Sequence, residues 1–223
     1  MAIRTAEKPK RLLGPKRKRQ PDWLTKGLQG VAFWIGHRQS LYSGYPLTEA
    51  AIVTEVCNLI QANLGDGYRL RCEVPFSKFI DEDVRPSLVT ERARVDLIVA
   101  ERVTRDGKKA LKIKYLIEVK RASAPKGQID ADLRRLAAVK KIKPHYRALL
   151  FVISEGTIPT RFVTKRGMSL LGKKEIPDSD GFYRVLKTFK AARFFSKRDT
   201  AHYACLVEVF ANRHTEEPPP ARG

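Results

Sequence analysis

The chain has 223 residues, of which 43% are apolar, so it is long enough for one ordinary domain with a real hydrophobic core. Lysine and arginine number 44 against 24 aspartates and glutamates, and the formal net charge of +20 indicates a polyanionic partner, which we expect to be nucleic acid. No apolar run approaches the roughly 18 residues that span a bilayer, so we expect no membrane-spanning segment.

Both ends of the chain are predicted to be flexible extensions of a single domain at residues 22–212. Residues 1–21 form a basic arm that contains the cluster Lys16, Arg17, Lys18 and Arg19. The cluster resembles a nuclear-import signal, but it equally suits an arm that lies along phosphates, or a disordered solubilising end. Residues 213–223 form the C-terminal tail, with three consecutive prolines.

Two helices are predicted in the first third of the domain. Residues 28–34 favour a short helix, although their apolar period is weak. Residues 48–64 favour a strong helix, because Thr48 suits its N-cap and apolar residues recur at helical spacing.

Strands and one further helix follow along the chain. We predict strands at 68–76, 94–103 and 112–120, a helix at 128–142, and strands at 147–154 and 203–210. Asp106 and Gly107 suit a tight hairpin turn between the second and third strands. A hairpin followed by a helical crossover gives an α/β fold, in which a mixed central β-sheet is flanked by helices. Residues 157–203 are harder to interpret, up to the final apolar strand.

Two predicted strands are apolar on both faces and nevertheless carry charged residues. Asp96 lies in the first, and Glu118 and Lys120 lie in the second. A buried carboxylate needs a partner, which can be a metal ion or a basic side chain. A two-residue loop in the hairpin would pair Asp96 with Ile117, whereas one more loop residue or a bulge would pair it with Glu118.

Two carboxylates and an amine on neighbouring strands suit phosphodiester hydrolysis. Directly opposed side chains on paired strands lie about 5 Å apart at Cβ, so one divalent ion can bridge both acids. Oxygen ligands favour Mg²⁺ or Mn²⁺, which polarises the phosphate and lowers the pKa of a bound water. Lys120 lies two residues after Glu118 and points to the same face, where it can orient or deprotonate that water or stabilise negative charge.

With these residues, the sequence resembles the PD-(D/E)XK nuclease superfamily over roughly residues 45–155. The matching pieces are Asp96 in one strand, Glu118-Val119-Lys120 in the next, and a helix on each side. The resemblance implies a restriction-endonuclease-like core in which Asp96, Glu118 and the Val119 carbonyl bind the metal and Lys120 acts on the attacking water. The sequence departs from the pattern at Val95, which stands where many members have proline.

The resemblance also implies contributions from the flanking helices. A glutamate of the preceding helix often joins the site, and we favour Glu49 over Glu55 because its surroundings look more like the family's helix start. Some relatives place a residue such as Gln128 near the site. Asp132 lies on the apolar face of the following helix, and we expect it to form a structural salt bridge with Arg92 or Arg94.

A basic surface is predicted beyond the nuclease motif. Residues 161–198 hold 11 lysines and arginines against three acids, interleaved with aromatic residues that we expect to lie mostly in the core. Together with the N-terminal cluster, the residues predicted to contact nucleic acid are Lys187, Lys190, Arg193, Lys197 and Arg198.

Cysteine usage and function complete the prediction. Cys57, Cys72 and Cys205 are odd in number and lack metal-ligand spacing, so we expect buried, reduced thiols and a cytoplasmic protein.

The predicted function is a Mg²⁺-dependent DNA endonuclease, which could act as a homodimer. The alternatives are a non-catalytic nucleic-acid-binding protein on the same fold and a basic structural protein in which Asp96 and Glu118 point away from each other.

Overall fold

The computed structural model describes residues 20–41, 45, 47–194 and 197–212, so the predicted cluster at residues 16–19 and the C-terminal tail lie outside it. The described residues form three α-helices: α1 (Asp22–Leu41), α2 (Glu49–Asn63) and α3 (Lys126–Ile142). Seven strands accompany them: β1 (Tyr68–Pro75), β2 (Arg94–Arg105), β3 (Lys108–Arg121), β4 (Arg147–Ser154), β5 (Lys174–Glu175), β6 (Phe182–Phe194) and β7 (Lys197–Phe210).

The seven strands form one mixed sheet in the order β1-β2-β3-β4-β7-β6-β5. The β3–β4 pair is parallel, and the other neighbours are antiparallel. Two parallel neighbours need a crossover, and α3 supplies it. The predicted α/β class with a mixed sheet flanked by helices is therefore confirmed.

Helices cover both faces of the sheet, which explains why the central strands are apolar on both sides. On the α3 face, Leu133 and Leu136 pack with Leu116 of β3 and Leu150 of β4. On the α1–α2 face, the buried residues of both helices pack against alternate residues of the same strands, including Ile117. The charged residues of β2 and β3 lie within this covered sheet.

The hairpin between β2 and β3 forms as its sequence predicts. Asp106 and Gly107 have φ angles of 51° and 71°, as a tight turn between twisted strands requires. The register shifts by one residue between Val99 and Ala100, where Lys114 is the extra residue of β3. Of the two predicted pairings, the one with a bulge forms. Continuing its register by one residue from the Leu97–Ile117 pair places Asp96 opposite Glu118.

The helix predicted at 48–64 is confirmed as α2, and the Thr48 hydroxyl caps it by accepting a hydrogen bond from the Ala51 N–H at 3.2 Å. The helix predicted at 28–34 is much longer, because α1 has 20 residues. Glycine has a low helix propensity, which weakens the prediction of a longer helix from sequence. In the structure a Cβ at Gly30 would come within 3.0 Å of Leu59 in α2, so the close contact between the helices favours glycine there. The glycines of α1 therefore allow close packing between the two helices.

Residues 157–202 contain β5, β6 and the first half of β7, so the strand predicted at 203–210 begins earlier than expected. The expectation that all thiols are buried is wrong for Cys72, which is exposed, and for the half-buried Cys57, whose Sγ lies 3.0 Å from that of Cys72. In the described ranges, no helix combines the length and the apolar character needed to cross a membrane.

Candidate metal centre

The predicted residues meet at one end of the sheet, on its α3 face. Leu116 packs on this face, and strand alternation places Glu118 and Lys120 on the same side. Asp96 lies near the start of the antiparallel β2 and therefore at the same end as the last residues of β3. The prediction that the sheet brings Asp96, Glu118 and Lys120 together agrees with this geometry.

Asp96 is anchored to the backbone of β3. Its Oδ2 accepts a hydrogen bond from the Val119 N–H at 2.6 Å, just beyond the last pair of the β2–β3 ladder, Leu97 and Ile117. Burial raises the pKa of Asp96 above its usual value, although this hydrogen bond acts in the opposite direction. Asp96 is thus held in place without a full counter-charge.

Glu118 is deeply buried, with 4% of its surface exposed. Burial raises its pKa well above the usual value, and the negative charge of Asp96 adds to that effect. Glu118 Oε1 has no hydrogen-bond partner among the described residues, and Arg135 Nε lies 3.6 Å away. Glu118 and Asp96 contact each other through their carboxyl groups, so at least one of them holds its proton more tightly than an isolated acid.

Lys120 lies between two further acids. Its Nζ is 2.7 Å from Glu49 Oε1 and 3.4 Å from Asp132 Oδ2. Burial alone would lower the pKa of Lys120, but the hydrogen bond to Glu49 and the charge of Asp132 outweigh it, so the pKa is raised. Lys120 is therefore a fixed cation at neutral pH.

Sequence reasoning missed the roles of Asp132 and Arg135 on α3. Asp132 was expected to pair with Arg92 or Arg94, and this is wrong: it contacts Lys120 and, one helical turn on, Arg135. Arg94 donates instead to the Glu73 carbonyl at 3.1 Å. The available signal was an acid and a base three residues apart on the apolar face of a helix.

These contacts form one continuous network of ionisable groups. It runs from Glu49 through Lys120, Asp132 and Arg135 to Glu118, and from there to Asp96. Four carboxylates face two cations, so full ionisation leaves two uncompensated negative charges in a largely buried site.

A divalent cation fits this donor set. Asp96 and Glu118 supply carboxylate oxygens, one of which has no hydrogen-bond partner in the described part of the chain. No group of three or more His, Cys, Asp and Glu side chains in that part is arranged as a ready metal site. The predicted ligands are two carboxylates and a backbone carbonyl, which leaves the remaining positions to water, as Mg²⁺ commonly requires.

The other predicted site residues lie at varying distances from this network. Glu49, and not Glu55, is the α2 acid that contacts Lys120. Gln128 is exposed in the first turn of α3. Lys190 of β6 pairs with Tyr203, whose partner in β4 is Ser154, so it lies at the same end of the sheet as Lys120.

Lys187 lies on the other side of the sheet from the network. It is two residues before Phe189, which packs against the α1–α2 face, and its Nζ lies 4.9 Å from that ring's centroid. Arg193 lies near the end of β6, and Lys197 and Arg198 begin β7, with side chains outside the described part. Their contacts with nucleic acid stay predictions.

Comparison of the chain with protein-family models, with curated proteins and with solved structures gives no match in any of the three. Fold and site geometry are therefore the basis for a functional argument.

Proposed function

We propose that the chain is a divalent-metal-dependent DNA endonuclease of the PD-(D/E)XK superfamily, with a restriction-endonuclease-like core. The observation that carries the proposal is the excess of acid at the end of β2 and β3. A protein of net charge +20 gathers four carboxylates around two cations in one place, and burial as well as charge repulsion opposes the ionisation of Asp96 and Glu118. Such an arrangement is expected where a cation binds as part of function.

The acids of the sheet are the proposed ligands. Asp96 and Glu118 would hold Mg²⁺ or Mn²⁺, together with the Val119 carbonyl, and the Val119 backbone is already fixed by its N–H bond to Asp96. When bound, such an ion neutralises phosphate charge and supplies a water of lowered pKa. Because the pKa values of both acids are raised, protons compete with the ion for them, and metal binding should tighten as the pH rises.

Lys120 acts as a cation rather than as a base in this proposal. Its raised pKa keeps the ammonium protonated at neutral pH, so it donates hydrogen bonds to the attacking water or to the phosphoryl oxygen. Glu49 and Asp132 are positioning residues, since they hold Nζ at 2.7 Å and 3.4 Å. Lys120 thereby stabilises the charge that grows on the phosphate during attack.

A cleavage assay tests the proposal directly. The full chain is incubated with supercoiled plasmid DNA and Mg²⁺ or Mn²⁺, with EDTA as the control. We expect nicked or linear product only with metal, and loss of product in Asp96→Ala and Lys120→Ala with DNA binding largely retained. Intact plasmid across metals, salts and single-stranded, duplex and RNA substrates would overturn the proposal.

One observation favours a second candidate, a non-catalytic nucleic-acid-binding protein on the same fold. Arg135 Nε lies 3.6 Å from Glu118 Oε1, where it partly compensates the acid that a metal would otherwise compensate. If Arg135 were a permanent counter-ion, the chain would bind DNA without metal and never cut it. An Arg135→Met variant would then gain no cleavage and would lose stability.

A further inference from the structure

A cavity of about 580 Å³ lies beside the network, and nothing described so far uses it. Its walls come from the turn between β3 and α3, the first turns of α3, the segment after β4, the end of β5 with Pro177, and Tyr183 of β6. It therefore lies at the carboxyl ends of the two parallel strands, the usual position of ligand sites in α/β sheets. Its volume falls within the range of about 300–1,000 Å³ for small-molecule sites.

The cavity begins close to Lys120. Ala122 lines the cavity and follows Lys120 by two residues, which corresponds to about 6–7 Å along an extended chain. Ile129 also lines it and precedes Asp132 by three residues, so the two lie on the same face of α3 about one turn apart. A group in this cavity would thus lie next to a phosphate at the proposed site.

Arg161 gives the cavity an oriented hydrogen-bond donor. Its Nη2 binds the buried Asp130, and its Nε lies 3.2 Å from the Tyr183 hydroxyl oxygen. The guanidinium carbon lies 5.6 Å from the ring centroid of Phe162 and 5.5 Å from that of Tyr183. Arg161 Nη1 is buried and has no hydrogen-bond partner within the described ranges, so the guanidinium carries one donor that the fold itself does not use.

The charges of the lining favour a neutral ligand over a phosphate. Asp130 compensates Arg161, and the lining holds one acid, Glu175, for its one further cation, Lys126. The remaining walls combine aromatic rings and prolines with hydroxyl groups. Aromatic side chains in the walls and an unused donor suit a planar, uncharged ring with carbonyl or ring-nitrogen acceptors.

We propose that this cavity binds one unpaired nucleobase next to the phosphodiester held at the metal centre. This inference rests on the proposed function, from which its nucleic-acid substrate is taken. Base edges accept from Arg161, and the ring lies against the apolar walls, as in enzymes that take a nucleotide out of the stack. Recognition of an unpaired base makes single-stranded or locally opened DNA the preferred substrate class.

The test compares two single-stranded oligonucleotides of ten units in EDTA, where no cleavage occurs. One is oligothymidine and the other has abasic tetrahydrofuran sugars throughout, and fluorescence anisotropy of an end label gives each Kd. The full chain should bind oligothymidine about tenfold more tightly than the abasic strand, which corresponds to the binding free energy of one stacked base. Thr160→Trp and Ser123→Trp place a ring at two exposed rims of the cavity and should each abolish this preference.

Thr104→Trp is the matched control, because Thr104 is exposed in the β2–β3 hairpin and does not line the cavity. It should keep the tenfold preference. Equal binding of both oligonucleotides by the wild type, no binding of either, or an unchanged preference in both rim variants would overturn the inference. The measured binding needs neither metal nor cleavage. A protein that cuts no DNA but keeps the preference for oligothymidine would therefore contradict the proposed nuclease function and still support base binding in the cavity.

Discussion

Two clusters of partly buried ionic groups lie at opposite ends of β4, and only one of them is balanced. At the start of the strand, Arg147 Nε lies 2.7 Å from Glu208 Oε1, and Arg147 Nη2 donates to Gln20 at 2.8 Å. One cation meets one acid there. At the other end, level with Lys120, four acids meet two cations.

The difference separates a structural ion pair from a candidate site. The Arg147–Glu208 pair satisfies itself, as a buried pair retained for structure should. The acid-rich cluster does not, because Glu118 keeps a buried oxygen without a hydrogen bond among the described residues and both sheet acids have raised pKa values. A folded chain that tolerates such a cluster indicates a role other than stability.

The largest expected effect comes from neutralising one acid in each cluster. Glu118→Gln should lower the cleavage rate by roughly 100-fold or more, because it removes a proposed metal ligand. Glu208→Gln should leave the rate per folded molecule unchanged and lower the free energy of unfolding by about 1–3 kcal/mol, because the acceptor of Arg147 loses its negative charge. Plasmid cleavage and urea denaturation measure the two effects, and equal activity loss in both variants would contradict the distinction between the clusters.

A smaller effect is expected from the α2 acids. Glu49→Gln should lower the cleavage rate by about tenfold, because Lys120 Nζ loses a charged partner at 2.7 Å. Glu55→Gln is the matched control on the same helix and should leave the rate unchanged. A greater loss with Glu55→Gln than with Glu49→Gln would show that the wrong glutamate has been assigned to the site.

The smallest effect is on stability without metal. Because the folded-state pKa values of Asp96 and Glu118 are raised, both acids oppose folding once they ionise. The free energy of unfolding in EDTA should therefore fall as pH rises from about the ordinary glutamate value of 4.5 towards neutral.

Glu118→Gln isolates this pH effect. It should remove much of the decline and stabilise the metal-free protein at neutral pH by roughly 1–2 kcal/mol. Urea denaturation of both proteins between pH 4.5 and 8 measures the difference between them. A variant that is less stable than wild type across this whole range would contradict the raised pKa of Glu118.

The sequence predicts the part of the site that depends on local pattern. Asp96, Glu118 and Lys120 stand out because charge interrupts apolar strands, and the hairpin turn limits the register to two alternatives. The choice between them depends on the bulge at Lys114, which has no sequence signal of its own. Asp132 and Arg135 were missed because an acid on an apolar helix face has many available partners, and only the packed fold selects Lys120.

The sequence does not predict β6, for a different reason. β6 shifts register between Val185 and Lys187 and again between Ala192 and Phe194, and each bulge breaks the alternation that identifies a strand. In α1, glycines that lower helix propensity serve contacts with Leu59 and Ile60 that no local pattern reports.

The most direct test is a titration of Mn²⁺ into metal-free protein at several pH values, with bound ion measured by electron paramagnetic resonance. The predicted result is saturable binding of about one ion per chain that tightens as the pH rises, abolished by Glu118→Gln and kept in Glu208→Gln. Absence of saturable binding, or equal binding by wild type and Glu118→Gln, would contradict a metal centre at the end of β2 and β3.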